Sequence, residues 1–211
     1  MNIPVKSLTS KQRIELAAHA IIDETGIIGL RMQDVADRAD VSVPLIHKYY
    51  GDRLGLLAQV LGDKFEENDL ARFQRFDDYF STLANPTIRD LVVMFAFPLT
   101  ERSKIRRWTR MQILAASVEI PELRERLAVI QANTHRALVE FIDRAQKAVN
   151  GGEIRASSDA LAMIVETYSM GAIMTDLHTE AGLVIAADDF RKIIQGMLES
   201  AFSPALPPSL D

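Results

Sequence analysis

The chain contains no cysteine, which excludes disulfides and thiolate metal sites outright. No apolar run is long enough to cross a bilayer, and the opening residues MNIPVKSLTS carry no apolar stretch of the signal-peptide kind. There is no HExxH, no GxSxG and no glycine-rich phosphate loop, so the commonest catalytic signatures are missing. No strand pattern and no internal repeat can be found. An excess of positive charge is lacking too, since the net charge is −5. What is present is 211 residues with 48% hydrophobic and 25% charged content. That is the composition of a globular chain able to bury a sizeable core, in one large or two small domains. The expectation is a cytoplasmic, all-α protein with no cofactor and no membrane partner.

The charge is not spread evenly. Residues 1–60 hold seven basic side chains (Lys6, Lys11, Arg13, Arg31, Arg38, Lys48 and Arg53) and seven acids (Glu15, Asp23, Glu24, Asp34, Asp37, Asp40 and Asp52). The head is therefore neutral, and the deficit lies in the remainder. No basic tail or stripe exists to give strong non-specific binding to a polyanion.

Residues 1–8 read as a loose arm, in which Lys6 is either a phosphate or minor-groove contact or merely solvated. Thr9 and Gln12 have capping-box spacing, and Ile14, Ala17, Ala18, Ile21 and Ile22 form the apolar stripe of a first helix that stops at Gly26. From Met32 to Leu57 the chain reads as two short helices joined by a tight turn, with a third helix following at once. Val35, Ala36 and Ala39 give the first an inner face. Asp40 sits where the backbone must turn, because Asp tolerates the left-handed region better than most residues. Ser42 is placed to cap the second helix, and Pro44 falls in its first turn, where a missing N–H costs little. Ile46 and Tyr50 point inward one turn apart, which leaves Leu45, His47, Lys48 and Tyr49 for other faces. That is a helix-turn-helix whose second helix offers polar and aromatic tips to a partner.

The pattern Val41-Ser42-x-x-x-Ile46-x-x-x-Tyr50-x-x-Arg53-x-x-Leu56 resembles the DNA-binding signature of the tetracycline-repressor (TetR) type of transcriptional regulators. The likeness reaches upstream through Arg13-Ile14, Ala17-Ala18 and Thr25-Gly26, and covers roughly the first 57 residues; beyond them only an all-helical layout and length are shared. The resemblance implies an N-terminal three-helix DNA-binding domain over 1–53, then a larger helical ligand-binding and dimerisation domain over 54–203, about nine helices in all. A Pro-rich tail over 204–211 is expected to be disordered. By the same resemblance Ser42, Val43, Pro44, Leu45, His47, Lys48 and Tyr49 face the major groove and its flanking phosphates, with Arg31, Gln33 and Arg53 as further contacts. Leu45 and Val43 suit a thymine methyl, Lys48 a phosphate or guanine edge, and Tyr49 a phosphate. The sequence departs from the pattern at Arg31, Asp40, Val43 and His47. Arg31 stands where a capping Thr or Ser is usual, and His47 where Tyr is common. An imidazole N–H is still able to donate to a phosphate oxygen.

Further along, a helix starting at Arg53 carries Leu54, Leu57, Ala58, Leu61 and Phe65, and Asn68-Asp69 offers a possible interruption before Phe73, Phe76 and Phe80. Asn85-Pro86 marks the next boundary, with Pro at a first helical position and the apolar run Leu91 to Phe97 ended by Pro98. Helices follow over roughly Ser103 to Val118 and Pro121 to Val149. After the break at Asn150-Gly151-Gly152 come two more, Ser158 to Thr179 and Asp188 to Phe202. The resemblance implies an effector cavity among the middle helices. Its candidates are Met94, Phe97, Trp108, Met111, Gln112, Ala115, His135, Glu166, Thr167 and Met170, with Asn133 as another polar member. An ordinary helical core has the same composition. Arg102, Lys104, Arg106, Arg107 and Arg110 either steer an acidic ligand or form a solvated face.

The last two helices are apolar on more than one side, and Ser169, Gly171 and Ala172 permit close approach. Leu161, Tyr168, Ala172, Thr175, Phe190, Ile194, Met197 and Leu198 are the candidates for a homodimer interface of four-helix-bundle type. His135, Asp176, His178 and Glu180 raise the question of a metal or acid–base site. His178 lies two residues from both acids, however, a spacing that splays side chains around a helix. The reading is a homodimeric repressor, no enzyme, bound to a palindromic double-stranded operator and released by a small molecule. The alternative is a helical protein-binding adaptor.

Overall fold

The structure, a computed structural model, describes residues 8–92, 101–183 and 186–202. Met94, Phe97, Pro98, Lys6 and the Pro-rich tail lie outside them, as does the side chain of Arg102. Among the described residues there are helices and no strand: α1 (Ser10–Gly29), α2 (Met32–Ala39), α3 (Val43–Tyr50), α4 (Arg53–Ser81), α5 (Ile88–Leu91), α6 (Glu101–Glu119), α7 (Pro121–Val149), α8 (Ser158–Gly171), α9 (Ile173–Glu180) and α10 (Ala187–Phe202). Ala172 ends α8 and opens α9. Taken as one interrupted helix, these two bring the total to nine. No described helix is long and apolar enough to cross a membrane.

The chain divides into two compact units. One holds Met1–Glu67 with Ile113–Val129, the other Asn68–Gln112 with Ile130–Asp211. In the first, the α1 stripe Ile14, Ala17, Ala18, Ile21 and Ile22 is buried, as are Val35, Ala36 and Ala39 from α2, Ile46 from α3, and Leu56, Leu57, Val60, Leu61 and Phe65 from α4. Ile113, Ile120, Leu123 and Leu127 are buried as well.

Local chemistry accounts for most boundaries in this unit. At the start of α1 the Gln12 N–H donates to Thr9 Oγ1 at 3.2 Å while the Thr9 N–H donates to Gln12 Oε1 at 2.9 Å, a reciprocal capping box. Gly26 takes φ +77° and interrupts α1. Asp40 takes φ +53° and ends α2, where the Val41 N–H donates to the Ala36 carbonyl at 3.0 Å. Ser42 has the extended backbone of an N-cap, but its hydroxyl makes no capping hydrogen bond. Arg31 likewise precedes α2 without capping it.

The second unit is built on Leu91, Val92, Leu138, Phe141, Ile142, Ala145, Leu161, Ala162, Val165, Ile194, Leu198 and Phe202. Phe80 meets Phe141 edge-on, and Tyr168 stacks on Phe190 with ring centroids 4.9 Å apart. One possibility drops out here and one expectation needs correction. First, α4 runs unbroken through Asn68-Asp69: Asp69 is buried and paired with Arg110, so a residue of low helix propensity is held by a tertiary partner. Second, the helix after Asn85-Pro86 starts at Ile88, because Thr87 and Asp90 form a capping box there, the Thr87 N–H donating to Asp90 Oδ2 at 2.8 Å. The turn between α7 and α8 is organised by the buried side chain of Gln146. Its Nε2 donates to the Ala156 carbonyl and to Ser158 Oγ, and its Oε1 accepts from the N–H groups of Arg155 and Ala156.

Candidate nucleic-acid interface and effector region

In the first unit α3 is fastened from behind. Ile46 is fully buried, and the Tyr50 hydroxyl donates to Glu15 Oε1 on α1 at 3.2 Å. Burial, with Glu15 beside it, pushes the Tyr50 phenol well above its ordinary range, so it stays a donor. The opposite side of the helix is open: Pro44, His47, Lys48 and Tyr49 are exposed, with Leu45 and Val43 partly so. Ser42 at the helix entry and Arg31 and Gln33 at the start of α2 are exposed as well. Gln33 Nε2 is held by Asp37 Oδ1 at 2.8 Å.

His47 is more constrained than its exposure suggests. Its Nδ1 lies 2.6 Å from the Gly51 carbonyl oxygen, and the Gly51 N–H donates to the His47 carbonyl at 2.8 Å. A carbonyl only accepts, so Nδ1 carries the proton. In the neutral ring, Nε2 is then an acceptor. Arg53 differs from the other candidates in the same way. Its Nε donates to the Leu30 carbonyl at 2.8 Å, and its Nη2 to the carbonyls of Ile27 and Ile28 at 3.0 and 3.3 Å. The guanidinium thus closes the α1–α2 corner.

Two residues at the entry to α4 were missed in the sequence. Asp52 Oδ1 accepts from the Gly55 N–H at 2.9 Å, as an N-cap does. A β-carbon on Gly55 would lie 2.0 Å from the Tyr50 carbonyl oxygen. Only glycine lets α4 begin this close under the end of α3. The Asp-x-x-Gly spacing after the recognition helix was the available signal.

In the second unit the structure brings three of the described effector candidates together. His135, Glu166 and Met170 belong to one polar chain with Asp69, Arg110 and Gln131. Arg110 Nη1 donates to Asp69 Oδ1, its Nε to Met170 Sδ at 3.4 Å and its Nη2 to Gln131 Oε1 at 3.3 Å. Gln131 Nε2 donates to Glu166 Oε1 at 2.8 Å. Burial pulls the Arg110 guanidinium down to about 10, with Glu166 opposing, and at that value it remains charged at neutral pH. Asp69 Oδ2 and Trp108 Nε1 are among the buried polar atoms with no hydrogen-bond partner among the described residues. Met111, Gln112 and Thr167 are exposed, and Ala115 belongs to the first unit.

Three of the basic residues of α6 are held in ion pairs. Arg107 pairs with buried Asp176, Lys104 with Glu180 and Arg110 with Asp69. These pairs also occupy Asp176 and Glu180, the two acids on either side of His178. Of the interface candidates, Leu161, Ala172, Ile194 and Leu198 are buried in their own unit. Tyr168, Phe190 and Thr175 are half-buried. Met197 is exposed, as are Met163 and Ile164 on α8 and Ile193 on α10.

A capped, all-α head with a short helix fixed behind and bearing His, Lys and Tyr in front defines a helix-turn-helix DNA-binding protein. Residues 15–60 match the family model of bacterial regulatory proteins of the tetR family. The chain is 27% identical over 190 residues to the HTH-type transcriptional regulator BetI of Paraburkholderia phytofirmans, covering 87% of this chain and 92% of that protein. Two solved structures share the fold. One, from Rhodococcus sp. and described as a TetR-family transcriptional regulator, gives a TM-score of 0.60 at 24% identity over 92% of this chain and 100% of the other. The second, a transcriptional regulator from Saccharomonospora viridis in complex with choline, gives 0.58 at 20% identity over 90% and 95%. The chain is a DNA-binding transcriptional regulator whose head, over residues 15–60, matches the tetR family.

Proposed function

We propose that the chain acts as a homodimeric repressor that leaves its operator when a small organic cation binds the second unit. The observation that carries the DNA-binding half is the outer face of α3, where Lys48, His47, Tyr49 and Pro44 are exposed while Ile46 and Tyr50 hold the helix in place. In this reading residues 1–53 are the DNA-binding domain, 54–203 serve ligand and partner, and the protein works in the cytoplasm. With Arg53 turned to the α1–α2 corner, the bases are left to Val43, Pro44, Leu45 and Lys48 and the phosphates to Tyr49, Lys48 and Arg31.

Dimerisation draws support from the exposed apolar side chains of α8 and α10, Met163, Ile164, Ile193 and Met197. In a monomer, four such side chains would stand in water on two long helices. A dimer also suits paired half-sites about 34–36 Å apart. The cationic class is favoured by the unpartnered buried oxygen of Asp69 and by the nearby carboxylate of Glu166. The choline held by the Saccharomonospora viridis regulator points the same way.

A gel shift on DNA from the chain's own upstream region tests both halves. A retarded complex that dissociates with choline, and is unaffected by a neutral sugar or an organic acid at equal concentration, is expected. Failure to retard any of that DNA, with or without choline, would favour the adaptor reading. Sedimentation showing a monomer at micromolar concentration would remove the dimer.

A further inference from the structure

Gln131 and His135 lie one turn apart on α7, and Asp159 and Glu166 two turns apart on α8, so each pair shares a helix face. The imidazole of His135 sits between the two carboxylates. Its Nδ1 is 3.0 Å from Glu166 Oε2, and its Nε2 is 2.9 Å from Asp159 Oδ1. A carboxylate oxygen only accepts, and a neutral imidazole has one N–H to give. In the neutral ring one nitrogen lone pair would therefore face an oxygen lone pair. Only the imidazolium satisfies both contacts.

The surroundings bear on the same point. Facing His135 from α8 are Asp159 and Glu166. Beyond them in the chain of contacts are Arg110 on α6 and Asp69 on α4, while Gln131 on α7 is uncharged. With His135 charged, two cations stand among three carboxylates; with it neutral, one cation stands among three. The two carboxylates it touches are held differently. Glu166 is 12% exposed and also held by Gln131, whereas Asp159 is 76% exposed and lies in the first turn of α8.

We propose that His135 is a proton-operated strap between α7 and α8. Charged, it binds both carboxylates and fixes the start of α8 to α7. On losing its proton it keeps Glu166, which cannot rehydrate, and releases Asp159, which can. The same contacts hold the His135 pKa above its ordinary value, hydrogen bonding to Asp159 first and to Glu166 second, with burial opposing. A pKa raised in the folded state adds stability that is complete below the unfolded value and is lost as pH rises through the folded one. The strap thus opens on the alkaline side.

Imidazole resonances of the full-length protein followed from about pH 5 to about pH 9 test this directly, with His135→Gln to assign the signal. The His135 midpoint should lie above the ordinary value of about 6.5 and fall in Asp159→Asn. That second change is at an exposed position and spares the core. Thermal unfolding gives a second readout: between about pH 6 and about pH 8.5 the wild type should lose about 2–4 °C more than His135→Gln does. A midpoint at or below 6.5, or one unmoved by Asp159→Asn, overturns the strap.

Discussion

Arg126 occupies the space that a side chain at Gly62 would fill. A β-carbon there would come within 2.5 Å of Arg126 Cδ and Nε. The guanidinium uses the gap to donate from Nη1 to the Gln59 carbonyl at 2.7 Å and from Nη2 to Asp63 Oδ1 at 2.5 Å. This contact joins α7 to α4 inside the unit that carries the helix-turn-helix. It shows that α4 is not the only helix of the later chain belonging with the head. The two positions should be strongly non-additive. Gly62→Ala adds helix propensity of about 1 kcal/mol but expels Arg126, so alone it should change stability little or lower it. In an Arg126→Ala background the same change should recover about 1 kcal/mol. Urea unfolding of the four proteins measures the coupling. Additivity within about 0.3 kcal/mol would mean that the guanidinium does not sit there.

Gly55 should tolerate nothing larger. Its would-be β-carbon meets backbone, the Tyr50 carbonyl, which cannot swing aside as a side chain does. Gly55→Ala is expected to lower stability by about 2–3 kcal/mol despite the gain in propensity, and to weaken DNA binding by displacing the end of α3. Asp52→Ala, which removes only the cap, should cost about 1 kcal/mol. Equal effects of the two substitutions would argue against a close α3–α4 corner.

On the recognition helix, Lys48→Ala should weaken binding to every sequence and flatten the dependence of affinity on salt by about one unit of log–log slope. A change at Leu45 should instead alter which bases are preferred. Anisotropy titrations on the selected operator and on unrelated DNA, over a range of salt, separate the two. An unchanged slope in Lys48→Ala would move the phosphate contact to another residue.

His47 gives a prediction of opposite sign. In its neutral form the ring presents a bare Nε2, because Nδ1 is spent on the Gly51 carbonyl. His47→Tyr replaces that acceptor with an O–H donor and should tighten binding to all sequences by about fivefold, roughly 1 kcal/mol. The same titrations read it. Weaker binding to the operator, with unrelated DNA unaffected, would show instead that the bare nitrogen accepts from a base.

The helices were legible because their signals are local. Thr9 and Gln12, Asp40 and Pro121 each mark a boundary, and Gly26 a kink, through chemistry within a turn or so of the chain. The recognition helix was legible for the same reason, its inner face being set by Ile46 and Tyr50 one turn apart. Contacts over long separations were not. Asn68-Asp69 reads as a possible interruption because the partner of Asp69, Arg110, stands 41 residues away. Arg53 looked like a phosphate contact because nothing nearby shows that the carbonyls of residues 27, 28 and 30 would claim it. On the last helices, periodicity reveals two apolar sides without saying which one faces the chain's own core. Leu161, Ile194 and Leu198 are buried, whereas Met163, Ile164 and Ile193 are exposed. The polar chain from Asp69 to Asp159 was half visible. Gln131 with His135, and Asp159 with Glu166, share faces, but their meeting is tertiary.

The central claim is that α3 reads DNA for a dimer of this chain. Selection of bound fragments from genomic DNA, run in parallel for the wild type and for Lys48→Ala with Tyr49→Ala, tests it most directly. The account predicts enrichment of a twofold-symmetric sequence whose half-site centres lie about one helical turn or a multiple of it apart, with the enrichment lost in the double variant. Enrichment of no sequence, or the same sequence enriched by both proteins, would contradict it.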